Sequence, residues 1–524
     1  MSPELLVILI TVCFVVVTVS IAGLSSRFGF FGPMALVAVG AGISFIPAVP
    51  QIKIEPDVIL FGILPPLLYA AAIRTSFIDT RARRDPIIIL SVGLVAYTVF
   101  VVGIVAWLIV PALSLAAALA FGAVIAPTDA VAVNAVTRKA PLPRIVTTVL
   151  DGESLLNDAT ALAALNAAIA AITTVVTPLS VAGNFAITVC GGLGVGLAVG
   201  VILGWLRRRI HEAVVDTSLS LVAPFVAFLP AQLIGASGIL AVVISGLYLS
   251  YRSPVIQSAE ARIAESLNWR TVQFVLENAV FLLIGLSLAG IVENALKSDI
   301  PVWQMALISI VVLAVMLVSR LLWGFGLTAV FRFGPRQLRR QSWHWHQPIA
   351  VSFAGVRGVV TLAAVFLLPE ATPQRAFLQL LAFVVVVGTL LQSLALPLIV
   401  RVLPTLVPPN FEQERMETRL LLSEAQQSGL DSLEDHPETF DPRVLARLRA
   451  DATFLSDSLK SGSGTEPPHE SYARARQHTL QAERAAVLRA RAEHRYQEPA
   501  VRAVLRILDA EEVALATSAE AKAD

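Results

Sequence analysis

Glu153-Ser154-Leu155-Leu156-Asn157-Asp158 lies inside an apolar run, residues 146 to 173, that is long enough to cross a bilayer. A charged side chain at the bilayer centre costs roughly 2.5 to 3.5 kcal/mol even on insertion scales, so two carboxylates at that depth need a reason. Helical spacing sorts the polar groups. Glu153 stacks with Asn157 and Ser154 with Asp158, each pair four residues apart, on adjoining faces of one helix. Together they offer oxygen ligands, which suit hard monovalent cations better than nitrogen or sulfur would. A carboxylate that binds such a cation when ionised can carry a proton otherwise. The competing reading is that these groups only pair across a helix bundle.

The rest of the chain agrees with a membrane setting. Its 524 residues are 56% hydrophobic and 15% charged, more apolar surface than a soluble domain can bury. Of the 77 Asp, Glu, Lys and Arg residues, 36 follow Asn410. A membrane domain, residues 1–410, is therefore expected to precede a soluble tail, 411–524. The tail reads as helical pieces, such as 412 to 427 and 472 to 496, around a Ser461-Gly-Ser-Gly-Thr-Glu-Pro-Pro468 linker. Both a regulatory or dimer-supporting role and a plain solvated appendage fit it. The run from Leu5 to Gly23 has no basic segment before it and is too long for a signal sequence, which predicts a retained first helix. Cys13 and Cys190 both fall within apolar runs and read as small packing residues, with no disulfide or thiolate metal site implied.

Apolar runs of about 17 to 25 residues predict about thirteen transmembrane helices. Loop charges alternate with that count. One set of loops holds eighteen basic residues, from Arg27 to Arg340, and the other holds only Lys53, Lys297 and Arg375. Cytoplasmic loops carry the Lys and Arg excess, so the N-terminus is expected outside and the tail in the cytoplasm.

Two spans look interrupted. In Gly122-Ala-Val-Ile-Ala-Pro127-Thr128-Asp129, Pro127 cannot donate to the Ala123 carbonyl and disfavours helical geometry at Ala126, so a break is expected at mid-membrane. Broken backbone at that depth survives only inside protein or along a cavity, where freed carbonyls become available to a cation. Thr128 can add ligands, and Asp129 would cap the following half-helix. The second interruption is Ser352-Phe-Ala-Gly355-Val-Arg357-Gly358-Val-Val-Thr361. Interrupted helices at corresponding places in two halves are the sign of an inverted-repeat transporter. Glu277 and Arg320 are further intramembrane charges, and each Arg needs a carboxylate or a cluster of carbonyls. Arg320 is expected to pair with Glu153 and Arg357 with Asp129. For Glu277, a structural pairing and a transport role are both open.

These motifs, with Leu64-Pro65-Pro66-Leu67-Leu68-Tyr69, Gly152-Glu153 through Asp158, Glu277-Asn278, Arg320 and Gly355-Val356-Arg357-Gly358, resemble the NhaP-type sodium/proton antiporters of the cation:proton antiporter-1 family, to which animal sodium/proton exchangers also belong. The resemblance covers the whole membrane domain. It implies an all-α polytopic membrane protein of thirteen-helix protomers, with inverted repeats, two crossed discontinuous helices and a helical cytoplasmic tail, assembled as a homodimer in the cell membrane. It further implies that Asp158 is the shared carrier of sodium and proton, with Glu153, Ser154 and a Thr128 oxygen completing the cation site. Asn157 would orient its neighbours without titrating, and the Asn-Asp pair implies electroneutral one-for-one exchange. Ala130 stands where many relatives carry Pro, and Pro127 supplies a break instead.

The expected activity is thus exchange of a monovalent cation, sodium first and potassium or lithium as alternatives, for protons across a lipid membrane. No nucleotide motif, other cofactor, catalytic residue or nucleic-acid partner is expected. An intramembrane hydrolase built on an Asp129–Asp158 dyad would need the two acids to share a proton, which Arg320 and Arg357 oppose. A channel is the remaining rival. All seven histidines, at 211, 344, 346, 436, 469, 478 and 494, fall in expected loops or tail, which argues against a histidine proton wire.

Overall fold

The computed structural model describes residues 3–28, 31–47, 56–129, 142–173, 177–334 and 344–403, with Val133 and scattered positions from 428 to 514. Every regular element among the described residues is helical. The chain opens with α1 (Pro3–Phe28) and α2 (Gly32–Ser44). A π-helical stretch, Val58–Ile63, runs into α3 (Leu64–Arg74), followed by the short α4 (Phe77–Ala82) and α5 (Arg84–Ile88). A second π-helical stretch, Ile89–Leu94, continues into α6 (Val95–Ile109), and α7 (Leu115–Ile125) follows. Then come α8 (Arg144–Thr173), α9 (Pro178–Arg207), α10 (Ala213–Leu233), α11 (Gly238–Ile256), α12 (Ala259–Leu286) and α13 (Leu288–Leu296). The set closes with α14 (Val302–Phe333), α15 (Gln347–Phe353), α16 (Val359–Phe366), α17 (Arg375–Ser393) and α18 (Leu396–Val402). Eight helical runs are long and apolar enough to cross a membrane, and four shorter apolar helices accompany them, among the described residues.

Helix starts follow the local chemistry. Ser114, Ser237 and Ser258 precede α7, α11 and α12, and each hydroxyl accepts from a backbone N–H three residues on. Thr177 and Ser180 form a reciprocal capping box at α9, with Pro178 in the first turn, where its missing N–H does no harm.

The chain divides into two compact units, Met1–Pro408 and Pro409–Asp524. In the second, Leu480 and Leu508 are buried, and Arg476 donates to Glu511 at 2.6 Å and to Glu483 at 2.8 Å. The hydrogen bonds from Arg476 hold the Glu511 carboxyl below the usual range.

In the first unit, helices approach closely where the sequence supplies small residues, as expected when apolar lipid gives no hydrophobic drive to association. Gly40 of α2 faces Gly285 of α12, and a Cβ added to Gly285 would lie 2.8 Å from both Ala41 N and Gly40 Cα. Gly285→Val is therefore expected to lose about 1–3 kcal/mol through overpacking. Gly42→Ala, where an added Cβ meets nothing within 4 Å, should be neutral or slightly stabilising. Thermal denaturation in detergent separates the two, and equal melting temperatures would contradict the close approach.

Two expectations shift. Arg207, read as a loop charge, is 1% exposed. It donates to Asp216 at 2.8 and 2.7 Å and to Glu265 at 2.9 Å, while Gln257 donates to both acids at 2.8 Å. Trp269 donates to Ser220, which in turn donates to Glu265. This network ties α9, α10 and α12 and the end of α11 together. Cys13 and Cys190 are free and exposed on the chain, not packed inside it.

A candidate cation site at two broken helices

α7 ends at Ile125, and Ala126 to Asp129 leave helical hydrogen bonding, as Pro127 requires. α15 ends at Phe353, and α16 begins at Val359. The breaks face each other: Asp129 N donates to Val356 O at 2.8 Å. The Asp129 carboxylate reaches the Gly358 backbone so closely that any Cβ at Gly358 would overlap its oxygen. With the Asp129 side chain in this position, only glycine fits there.

Arg357 departs from the expected pairing with Asp129. Its guanidinium donates to Ile125 O at 2.9 Å, Gly355 O at 2.6 Å and Ala126 O at 3.2 Å, and it is 3% exposed. The physical reason lies in the break. A helix that stops inside the bundle leaves terminal carbonyls unsatisfied, with the negative end of its dipole beside them, and a guanidinium answers both needs.

Arg320 meets Glu153 as expected. Nη1 donates to Oε1 at 2.7 Å and Nη2 to Oε2 at 3.0 Å, a two-pronged pair, while Nε donates to Val351 O at 3.2 Å. Thr128 Oγ1 also donates to Glu153 Oε1 at 3.2 Å, and Asn157 Nδ2 donates to Thr128 Oγ1 at 2.8 Å. Ser154 Oγ lies 3.4 Å from the same Thr128 hydroxyl. Asn157 and Glu153 thus hold Thr128 between them, and both carboxylate oxygens of Glu153 are engaged.

A partly open cavity lies beside this layer. Its walls include Leu64, Leu67 and Leu68 of α3, Pro127, Thr128 and Asp129 of the first break, and Ser154 and Asp158 of α8. Glu277 and Phe281 of α12, with Gly358 of the second break and Thr361 of α16, also line it. Helical periodicity explains the division of α8: Ser154 and Asp158 face the cavity, while Glu153 and Asn157 stand behind it. Asp158 is 4% exposed, and no hydrogen bond or ion pair to its carboxylate is found among the described residues.

Glu277 reaches the cavity wall from α12. Gln273, one turn earlier, donates to it and accepts from Arg74 Nη1 at 3.1 Å. Reading the residues did not find Gln273 or Arg74 as members of this group. The available signal was the four-residue spacing from Gln273 to Glu277.

Comparison with known proteins follows the same lines. A model of the sodium/hydrogen exchanger transmembrane family matches residues 14–402. An uncharacterized Na(+)/H(+) exchanger of Mycobacterium bovis is 30% identical over 536 residues, covering 99% of this chain and 97% of its own. The sodium, potassium, lithium and rubidium/H(+) antiporter of Bacillus subtilis is 30% identical over 416 residues, 75% of this chain and 61% of its own. The solved structure of the sodium proton antiporter MjNhaP1 from Methanocaldococcus jannaschii matches with a TM-score of 0.61 at 17% identity, covering 76% of this chain and 98% of that one. That last likeness is one of fold.

Proposed function

The chain belongs to the sodium/hydrogen exchanger family, and from that premise we propose that it is a secondary antiporter exchanging a monovalent cation, sodium first, for protons, with both competing for Asp158. One observation carries the assignment: Asp158 is a buried carboxylate on a cavity wall, without a hydrogen-bond partner among the described residues, while its neighbour Glu153 is fully engaged. A buried carboxylate left unpaired is strongly disfavoured, so it takes up either a proton or a cation. Ser154 and Thr128 stand beside it as neutral oxygen ligands. Asn157 and the Glu153–Arg320 pair hold Thr128 in place without changing charge.

Either partner neutralises Asp158, so the loaded site carries the same charge in both halves of the cycle. That supports one-for-one exchange insensitive to membrane potential. A mismatch of one charge would couple to potential by about 2.3 kcal/mol per 100 mV. The tail faces the cytoplasm in this reading, and the protein works as a homodimer in the cell membrane. A wider cation range is the second reading, favoured by likeness to the sodium, potassium, lithium and rubidium/H(+) antiporter of Bacillus subtilis.

The test uses purified protein in acid-loaded liposomes, with internal pH followed on adding sodium, potassium or lithium at several valinomycin-clamped potentials. Cation-driven alkalinisation that ignores the clamp is expected. Dependence on the clamp would refute electroneutrality, and no cation-dependent proton movement would refute antiport. Competition for one carboxylate adds a signed pH dependence. As pH falls, the apparent KM for sodium should rise, with a limiting slope of about tenfold per unit because one proton displaces one cation. A KM independent of pH would refute the shared carrier.

A further inference from the structure

We propose that Thr361, on the second broken helix, supplies a further oxygen ligand to the transported cation, so that the site is closed from both interrupted helices and not from α7 and α8 alone. The proposal rests on the antiport reading and extends it. Thr361 stands in the first turn of α16, three residues past Gly358, and lines the same cavity wall as Asp158, Ser154 and Thr128. It is 1% exposed, and its hydroxyl has no hydrogen-bond partner among the described residues.

A buried hydroxyl without a partner destabilises the fold compared with a methyl of the same shape, because it has given up water and gained nothing. Threonine on a helix ordinarily avoids this by donating to the carbonyl one turn back. Thr98, Thr328 and Thr389 are similarly buried threonines, and Thr328 and Thr389 donate in that way. One turn before Thr361 the chain is not helical, so the usual local acceptor is displaced. Ser352 and Thr372 are also buried without partners, but neither lines the cavity. Thr361 therefore combines three properties: an apolar span, a hydroxyl unused by the protein, and a place on the wall of the cavity that also holds the unpaired carboxylate. A cation held by Asp158 would use that oxygen, while a proton on Asp158 would not require it. The residue thus bears on cation affinity and selectivity, both of which depend on ligand number.

The experiment compares wild type, Thr361→Val and Thr361→Ser in the full-length protein. Transport is measured in acid-loaded liposomes with sodium, potassium and lithium, and melting in detergent is measured with and without sodium. Thr361→Val should raise the apparent KM for the transported cation by about tenfold with kcat little changed. Thr361→Ser should restore the wild-type KM. Without sodium, Thr361→Val should melt at the same temperature as wild type or higher, and it should lose part of the stabilisation that sodium gives wild type. Wild-type exchange with an unaltered KM in Thr361→Val for all three cations would overturn the assignment alone. So would a lower melting temperature in Thr361→Val without sodium, since that would reveal a structural partner for the hydroxyl. No cation-driven proton movement in wild type would overturn the antiport reading and this proposal with it.

Discussion

Asp158→Asn is expected to reduce cation-driven proton movement to the level of protein-free liposomes while the protein still purifies as a folded species. The amide keeps the shape of the side chain and loses both the charge that binds a cation and the group that exchanges a proton. It also removes an ionisable group that has no hydrogen-bond or ion-pair partner among the described residues. Thermal melting should therefore stay level or rise. Loss of transport with preserved melting marks a functional carrier, whereas loss of both would mark Asp158 as structural. Retained full exchange would remove it from the mechanism.

The second large effect concerns the pair behind the cavity. Arg320→Leu leaves Glu153 buried, charged and without its two-pronged donor, and such a break is expected to destabilise by about 3–5 kcal/mol. The double variant Glu153→Leu/Arg320→Leu should recover much of that, because no uncompensated charge is left. A double-mutant cycle in detergent measures the coupling directly. Transport by the double variant should still fall, since Thr128 loses the acceptor that orients its hydroxyl. If Arg320→Leu alone proved near neutral, Glu153 would have to be protonated or otherwise partnered, and the pair would not be the frame of the site.

Several parts of this arrangement were legible in the residues alone. Pro127 announces the first break because its chemistry forbids the hydrogen bond wherever it sits in a helix interior. The Glu153–Arg320 pair was legible because charges in a membrane interior have few possible partners. The partners of Arg357 were not. Backbone carbonyls belong to every residue and carry no signature, so a guanidinium satisfied by Ile125, Gly355 and Ala126 looks from sequence like one in need of an acid. Arg207 misled for a related reason: a charge at the end of an apolar run reads as a loop residue until Asp216 and Glu265 are seen around it. Spacing also put the polar groups of α8 on adjoining faces without telling which face meets the cavity. That choice depends on neighbours far away in the chain, from Leu64 to Thr361.

The bonds from Arg357 to Ile125 and Ala126 also have a bearing on biogenesis. They join positions 232 and 231 residues apart. At typical synthesis rates of about 5 to 20 residues per second, the first break waits roughly ten to fifty seconds for the guanidinium that will satisfy it. Until then the carbonyls of Ile125 and Ala126 lack the donor that answers them in the finished fold. A chain terminated before α15 never acquires the missing donor. Truncated products should therefore be recognised as incomplete by membrane quality control even when every preceding helix has been inserted correctly.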